Sequence, residues 1–241
     1  MPPLTDLVYQ KRADSPIQFG VPGTLTTSPR ALACNPATLL AQKSVVKEQA
    51  DDVSTNEDLM REHGILKRVL LIYDEVIRRI DAKQDFPPQT VSDSAEIIRK
   101  FIEDYHEKLE EEHLFPHFRK AHKLVDLVDV LYEQHQAGRR VTDRVLATVQ
   151  SLKTSDDRKG LADDLRAFIR MYAPHEARED TVLFPALHEI VSRQEYEALG
   201  KKFDEIEHTT FGGDGFDIYL DKVSGIEKRL GIYDLAQFTP R

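Results

Sequence analysis

The 241-residue sequence lacks the features that usually stabilise secreted proteins or anchor membrane proteins. Cys34 is the single cysteine, so an intrachain disulfide is excluded. No stretch approaches the roughly 18 consecutive apolar residues of a transmembrane helix. Residues 1–20 lack the basic start and apolar run of a secretory signal. These absences predict a cytoplasmic protein that neither crosses nor is anchored in a membrane.

Positive charge is also in deficit. The chain has 33 Lys and Arg against 42 Asp and Glu, which gives a formal net charge of −9 at pH 7. Nucleic acids and anionic membranes attract basic surfaces, so this balance argues against both as partners. The length is sufficient for one substantial core with extensions.

A short unit occurs twice with identical spacing. His106 is followed four residues later by Glu110, His175 is followed four residues later by Glu179, and each copy ends in Leu-Phe-Pro. A gap of four places the two side chains on one face of a helix, about 5–6 Å apart at their roots. Each copy can therefore present one imidazole and one carboxylate to a shared metal ion.

A lone histidine precedes each copy, His63 before the first and His135 before the second. Aligning these two histidines also aligns Lys67 with Arg139, which indicates an internal duplication of a helix pair. Four helices could then each present one histidine to a common centre. Imidazole and carboxylate together suit iron, manganese or zinc, and bundle cores are known to hold pairs of iron ions.

Apolar residues at helical spacing, capping boxes at Ser54 and Ser192, and turn residues predict six helices. We expect Pro116 to end the second helix and Pro174 to kink or bulge the fourth beside the site. The predicted ranges are about 55–82, 92–113, 124–152, 157–190, 193–208 and 216–230.

These motifs resemble the hemerythrin-like family, also called the HHE cation-binding domain, over roughly residues 55–190. The ferritin-like carboxylate proteins have Glu before His with a gap of three, which is the opposite order. The resemblance implies two non-haem iron ions joined by an oxo or hydroxo bridge, with zinc or manganese as alternatives. It also implies which residues bind the ions. They are His63, His106, His135 and His175 as terminal ligands, and Glu110 and Glu179 as bridges.

The predicted fold is all-α, with an antiparallel up-down four-helix bundle at its centre. We expect an irregular N-terminal arm over residues 1–50, the hemerythrin-like bundle with its metal site over 51–191, and a helical extension packed on the bundle over 192–241. Several Pro and Gly residues in the first segment favour an extended arm, with disorder as the alternative.

The resemblance implies a non-haem di-iron protein that handles oxygen, hydrogen peroxide or nitric oxide by redox chemistry. If it is an enzyme, it is a di-iron oxidoreductase of the peroxidase or oxidase kind. The alternative is an iron or oxygen sensing or storage module without turnover. The sequence leaves the oligomeric state open.

Several other residues have more than one interpretation. Glu107 follows His106 directly, so it is either an additional ligand or an exposed helix residue. His113 is better suited to packing than to ligation, and His208 has no evident role. Tyr105 and Tyr172 either form hydrogen bonds at the site or simply pack.

Overall fold

The computed structural model describes residues 54–240, and these residues form no β-strand. The predicted all-α fold is therefore confirmed for this part of the chain. The expected N-terminal arm, residues 1–50, lies outside the described residues. Six helices occur in the described range. They are α1 (Thr55–Asp81), α2 (residues 88–121), α3 (Val125–Gln150), α4 (residues 155–187), α5 (Arg193–Phe211) and α6 (Gly215–Leu230), and a 3₁₀ turn follows at Leu235–Phe238.

Two of these helices contain π-helical segments. Helix α2 consists of Pro88–Ile97 (α), Ile98–His106 (π), Glu107–Leu109 (α), Glu110–Leu114 (π) and Phe115–Ala121 (α). Helix α4 consists of Ser155–Arg178 (α), Glu179–Leu183 (π) and Phe184–Leu187 (α). Such turns are uncommon and concentrate at functional sites. Here each short π segment begins at the glutamate of a repeated unit.

The expectation that Pro116 ends the second helix at about residue 113 was wrong. Pro116 lies in the first turn of the segment Phe115–Ala121, directly after a π-helical turn. A proline is tolerated in a first turn because its missing N–H is not needed there. Helix α2 therefore continues to Ala121.

The bulge expected at Pro174 was also wrong in its location. Pro174 lies inside the regular α-helical segment Ser155–Arg178. The long π-helical segment before a ligand-type histidine is instead Ile98–His106, in the first copy of the unit. The π-helical segment of α4 begins only after the histidine of its own copy, at Glu179–Leu183.

Helices α1 to α4 form the bundle. Contacts join α1 to α2 and α4, and join α3 to α2 and α4, which closes a ring of four helices. Their inner faces bury an apolar core in which Val69, Phe101, Leu131 and Leu165 are fully or almost fully enclosed. Burial of such a side chain stabilises the fold by about 1.5–3 kcal/mol. This core fixes the rotation of each helix and directs the repeated histidines inwards.

The C-terminal helices pack on the outside of this ring. Helix α6 contacts α1 and α2, and Val223 and Ile226 on its inner face are buried. The carboxylate of Glu227 binds the guanidinium of Arg68 on α1. The capping box predicted at the start of α5 is present, since Ser192 and Glu195 exchange backbone-to-side-chain hydrogen bonds of 3.2 and 2.8 Å.

In the part of the chain that the structure describes, every helix is too short or too polar to cross a lipid bilayer.

Candidate metal centre

The four histidines of the repeat converge in two pairs inside the bundle. Nε2 of His63 lies 2.9 Å from Nε2 of His106, and Nε2 of His135 lies 3.2 Å from Nε2 of His175. All four side chains are buried. Two imidazole nitrogens this close together can both bind the same metal ion. The structure therefore contains two adjacent imidazole pairs.

The two glutamates of the repeat each reach from one pair to the other. Oε1 of Glu110 lies 3.8 Å from Nε2 of His106, and its Oε2 lies 3.4 Å from Nε2 of His135. Oε2 of Glu179 lies 3.4 Å from Nε2 of His63, and its Oε1 lies 3.1 Å from Nε2 of His175. Each carboxylate thus presents one oxygen to each imidazole pair.

The outward-facing nitrogen of each imidazole has its own polar partner. The distances from Nδ1 are 2.7 Å from His63 to Asp180, 2.6 Å from His106 to Glu62, 3.1 Å from His135 to Glu111 and 2.9 Å from His175 to Gln134. A carboxylate or amide oxygen at Nδ1 accepts a hydrogen bond from the Nδ1–H group, so that the lone pair of Nε2 is the one that can bind a metal ion. All four rings are therefore oriented for ligation through Nε2.

These four partners were missed at the level of sequence, although the repeat contains them. Glu62 and Gln134 directly precede His63 and His135. The other two, Glu111 and Asp180, directly follow the glutamates Glu110 and Glu179. A polar residue at the same position in both copies was the available signal.

Burial of the two inner carboxylates fits a cation. Glu110 and Glu179 are fully buried, and the imidazole nitrogens described above lie 3.1 to 3.8 Å from their oxygens. An isolated buried carboxylate costs several kcal/mol, and a bound cation removes that cost. The donor set of imidazole and carboxylate is also one that iron, manganese and zinc accept. The residues present therefore fit a metal centre.

The pKa values in the protein without metal reflect the same crowding of charge. Burial, together with the nearby Glu179 and Glu107, raises the pKa of Glu110 well above its usual range. Burial opposes ionisation of Glu179, but His175 and His63 outweigh it and hold its pKa well below the usual range. Burial lowers the pKa of His63, but Asp180 and Glu179 outweigh it and raise the value to about 9. In the protein without metal, protons on Glu110 and His63 thus balance part of the negative charge that a bound cation would otherwise balance.

The phenylalanines of the two Leu-Phe-Pro segments cover the imidazoles. Phe184 stacks on His63 with ring centroids 5.4 Å apart, and Phe115 stacks on His135 at 5.6 Å. Both phenylalanines are fully buried. They exclude water from one side of each imidazole pair, which is how an apolar shell influences a metal site.

Lys67 and Arg139 each lie one turn after one of the lone histidines. Lys67 pairs with Glu176, which directly follows His175, and Arg139 pairs with Glu107, which directly follows His106. Nζ of Lys67 lies 3.1 Å from Oε1 of Glu176, and a guanidinium nitrogen of Arg139 lies 2.7 Å from Oε2 of Glu107. The hydroxyl of Tyr172 donates a 2.6 Å hydrogen bond to Oε1 of Glu107. Both oxygens of Glu107 are therefore engaged, which argues against its interpretation as an additional ligand.

A third group, Glu107, Glu111 and His135, also has the spacing of a metal site. Arg139 already lies on both of these carboxylates, at 2.7 Å from Glu107 and 2.8 Å from Glu111. Its guanidinium supplies the positive charge that a metal ion would supply. We therefore assign this group to an ion-pair network.

Residues 54–187, more than half of the chain, match the family described as the hemerythrin HHE cation binding domain. The chain belongs to this family. The HHE domain binds metal cations, and the six histidines and glutamates that converge in the bundle all lie within the matched residues. The resemblance inferred from the repeated motifs is thus confirmed.

Relatives of this HHE protein occur in mycobacteria. Uncharacterized proteins of Mycobacterium bovis and of two strains of Mycobacterium tuberculosis are each 53% identical to it over 195 residues. The similar region covers 80% of this chain and 76% of each relative. No solved structure matches the chain significantly.

The remaining candidate residues lie outside the two imidazole pairs. His113 is half-buried against Phe203 of α5, with ring centroids 5.9 Å apart, and His208 is exposed on α5. Tyr172 binds Glu107 as described above. Tyr105 is buried next to His106, and its hydroxyl lies against the carboxylate of Glu62.

Proposed function

We propose that this HHE protein holds two iron ions and uses them for redox chemistry with hydrogen peroxide or oxygen. One ion would lie between His63 and His106, and the other between His135 and His175. The observation that carries the proposal is the reach of Glu110, whose two oxygens face one histidine of each pair. A single ion at one pair would leave the second oxygen of this buried carboxylate without a cation.

The set of ligands fits a pair of iron ions. Six buried side chains, four imidazoles and two carboxylates, combine nitrogen and oxygen donors in a bundle core, which is the environment of carboxylate-bridged iron pairs. Zinc and manganese accept the same donors, so metal analysis has to distinguish them. When bound, iron supplies one-electron chemistry that zinc lacks.

The protein itself would contribute orientation and exclusion of water. Glu62 and Asp180 hold the Nδ1 protons of two imidazoles and so keep their Nε2 atoms available. Phe115 and Phe184 enclose the imidazoles on their apolar side. Arg139 keeps Glu107 engaged, so that the centre retains a position for a small molecule.

The absence of a histidine at position 139 favours oxidation over reversible oxygen transport. Oxygen-carrying hemerythrins resemble this chain but have a second histidine one turn after the third-helix histidine, where Arg139 is found here. A guanidinium remains protonated and cannot bind a metal ion. One iron would therefore have fewer imidazoles and more room for oxygen ligands. We expect the reduced protein to be oxidised by oxygen rapidly and irreversibly.

The first experiment measures metal. After anaerobic reconstitution with ferrous iron, the full chain should retain about two iron atoms, since six ligands from four helices enclose a pair. His106→Ala and His175→Ala should each lose iron. Asp126→Ala, which alters an exposed residue at the start of α3, is the control and should retain it. Equal iron content in all three variants, or one zinc with negligible iron in the wild type, contradicts the proposal.

The second experiment separates an enzyme from a store or sensor. Sustained consumption of hydrogen peroxide by the iron-loaded wild type, and its loss in His106→Ala, is the result expected of an oxidoreductase. Retention of iron without turnover favours sensing or storage. Repeated cycles in which removal of oxygen restores the reduced spectrum would contradict the expectation of irreversible oxidation.

A further inference from the structure

Tyr105 connects the metal centre to the outer helices. It directly precedes His106 in the chain, its ring is buried, and its hydroxyl faces Glu62, the same carboxylate that holds Nδ1 of His106. Buried tyrosine hydroxyls usually have a polar partner, and here the carboxylate of Glu62 is that partner. Tyr105 therefore contacts the hydrogen-bonded shell around His106.

Aromatic rings continue from Tyr105 towards the surface by two parallel routes. In the first, Tyr105 packs edge-on against Phe211 at 5.0 Å between centroids, and Phe211 packs against Tyr219 at 5.3 Å. In the second, Phe101 lies 5.6 Å from Tyr105 and stacks on Tyr219 at 4.6 Å. Both routes therefore lead from the centre to the same tyrosine.

Tyr219 is at the outer end of this series. Tyr219 is buried, with 5% of its surface exposed, at the wall of a surface cleft of about 370 Å³ between α2 and α6, which Lys100 and Lys222 also line. Nζ of Lys222 lies 4.1 Å from the centroid of the Tyr219 ring. A small molecule in the cleft can thus come into contact with a ring that is connected to the centre.

The outer part of the series belongs to the C-terminal helices. Phe211 is the last residue of α5, and Tyr219 is on α6, so both lie beyond residue 187, where the family match ends. Gly215 provides the space for Phe211, because a Cβ at this position would lie 2.3 Å from Cδ2 of that ring. The helices added to the bundle therefore complete the aromatic series.

We propose that Tyr105 and Tyr219, with Phe101 and Phe211 packed between them, conduct single electrons from a small hydroquinone-type donor in the cleft to the metal centre. This inference rests on the proposed redox function and identifies the source of its electrons. A phenol can be oxidised by one electron, whereas phenylalanine is far harder to oxidise. The two phenylalanines thus act as the packed medium between two oxidisable tyrosines.

The electrons and protons balance with hydrogen peroxide as the oxidant. One hydrogen peroxide takes up two electrons and two protons and yields two waters. Each electron leaves Tyr105 as its O–H bond breaks, and the proton passes to the facing carboxylate of Glu62. An electron from Tyr219 and the returning proton restore Tyr105. As that electron leaves, Tyr219 releases its O–H proton to solvent, and solvent supplies the two protons that hydrogen peroxide takes up. Tyr219 in turn takes one electron and one proton from the donor, so two donor molecules each lose one hydrogen atom per peroxide.

The test compares Tyr105→Phe and Tyr219→Phe with Tyr132→Phe, all in the iron-loaded full chain. Tyr132 is exposed on α3 and outside the series, so it serves as the matched control. Peroxide consumption with hydroquinone as donor should fall about tenfold or more in the first two variants and stay unchanged in the third. Iron content should be the same in all of them, since no ligand is altered.

Electron paramagnetic resonance provides a readout other than activity. After rapid freezing with peroxide and no donor, the wild type should give a tyrosyl radical signal that narrows when ring-deuterated tyrosine is incorporated. The signal should be absent or altered in Tyr105→Phe. When hydroquinone is added, the radical should disappear more slowly in Tyr219→Phe than in Tyr132→Phe.

The outcomes separate this inference from the proposed function. Iron binding and peroxide turnover at equal rates in Tyr219→Phe and Tyr132→Phe, without a tyrosyl signal, would overturn the electron route and leave the redox function intact. Failure of the iron-loaded wild type to react with peroxide would overturn both. If Tyr105→Phe loses iron, its lower activity no longer tests the electron route. Tyr219→Phe then provides the test, because the ring of Tyr219 is outside the metal centre.

Discussion

Arg139, whose side chain is 17% exposed, forms an ion pair with the buried Glu107, in which a guanidinium nitrogen lies 2.7 Å from Oε2 of the glutamate. The pair joins the residue one turn after His135 to the residue that follows His106. Its pseudo-symmetric counterpart, Lys67 with Glu176, is held at 3.1 Å, but there the lysine is 59% exposed. The two halves of the centre therefore differ in the exposure of the cation that pairs with the glutamate, which is Arg139 for Glu107 and Lys67 for Glu176.

Removal of Arg139 should destabilise the metal-free protein. Arg139→Met leaves the enclosed Glu107 without its cation, which should lower the free energy of unfolding by about 3 kcal/mol. The double variant Arg139→Met with Glu107→Gln should recover most of this loss, because the remaining group is neutral. Urea unfolding of the wild type, the two single variants and the double variant measures the coupling. Strictly additive effects would show that the ion pair contributes nothing.

Glu110 should stabilise the protein only when metal is bound. Burial and nearby carboxylates raise its pKa, so its ionised form is disfavoured in the metal-free bundle. Glu110→Gln should therefore leave the metal-free melting temperature unchanged or raise it. The same variant should bind less iron and gain less stability from metal than the wild type. A clear loss of metal-free stability would argue that Glu110 has a structural partner instead.

Gly138 should be required for the position of Tyr172. A Cβ at Gly138 would lie 2.0 Å from the Tyr172 hydroxyl, so Gly138→Ala forces the ring away from Glu107. We expect a cost of about 1–3 kcal/mol in unfolding free energy. The control is Gly160→Ala, since Gly160 is exposed on α4 and a Cβ at this position would meet no neighbouring side chain within 4 Å. That variant should be stabilised by about 0.5–1 kcal/mol, because alanine is the better helix former.

Asp58 should make stability fall as pH rises. Burial and the neighbouring Glu62 raise its pKa from 3.8 to about 7, so the folded protein holds a proton that the unfolded chain releases. The free energy of unfolding should therefore decrease between these two pH values and become constant above them, as far as this group is concerned. Arg61, Asp204 and Asp214 also act on it.

Asp58→Asn removes this contribution. The difference in unfolding free energy between the variant and the wild type, measured in urea from pH about 4 to about 8, should grow in favour of the variant. A difference that is constant with pH would show that Asp58 titrates normally in the folded protein.

The sequence predicted the helices well where an apolar stripe and a cap agree. Helix α6 was expected at about 216–230 and is found at Gly215–Leu230, and α5 begins at the predicted capping box of Ser192. Prolines were interpreted less well. Pro116 lies in a first turn, where its missing N–H is not needed, whereas Pro174 lies inside a helix that continues to Arg178 although one backbone hydrogen bond is lost there.

The sequence by itself determined which histidines and glutamates are brought to the centre. The spacing of four in His106-x3-Glu110 and His175-x3-Glu179 fixes each pair on one helical face, and the duplication supplies a matching second half. Periodicity within a helix acts over one or two turns, so these features are local. They can be recognised in the sequence without knowing which helices pack against one another.

Only the tertiary structure decided the relations between helices. It determined that the two oxygens of Glu110 face different histidine pairs, that Arg139 engages Glu107, and that Tyr105 is connected to Tyr219. Each relation depends on the rotation and separation of packed helices. Those quantities result from how the whole core fills its space, and no spacing along a single helix encodes them.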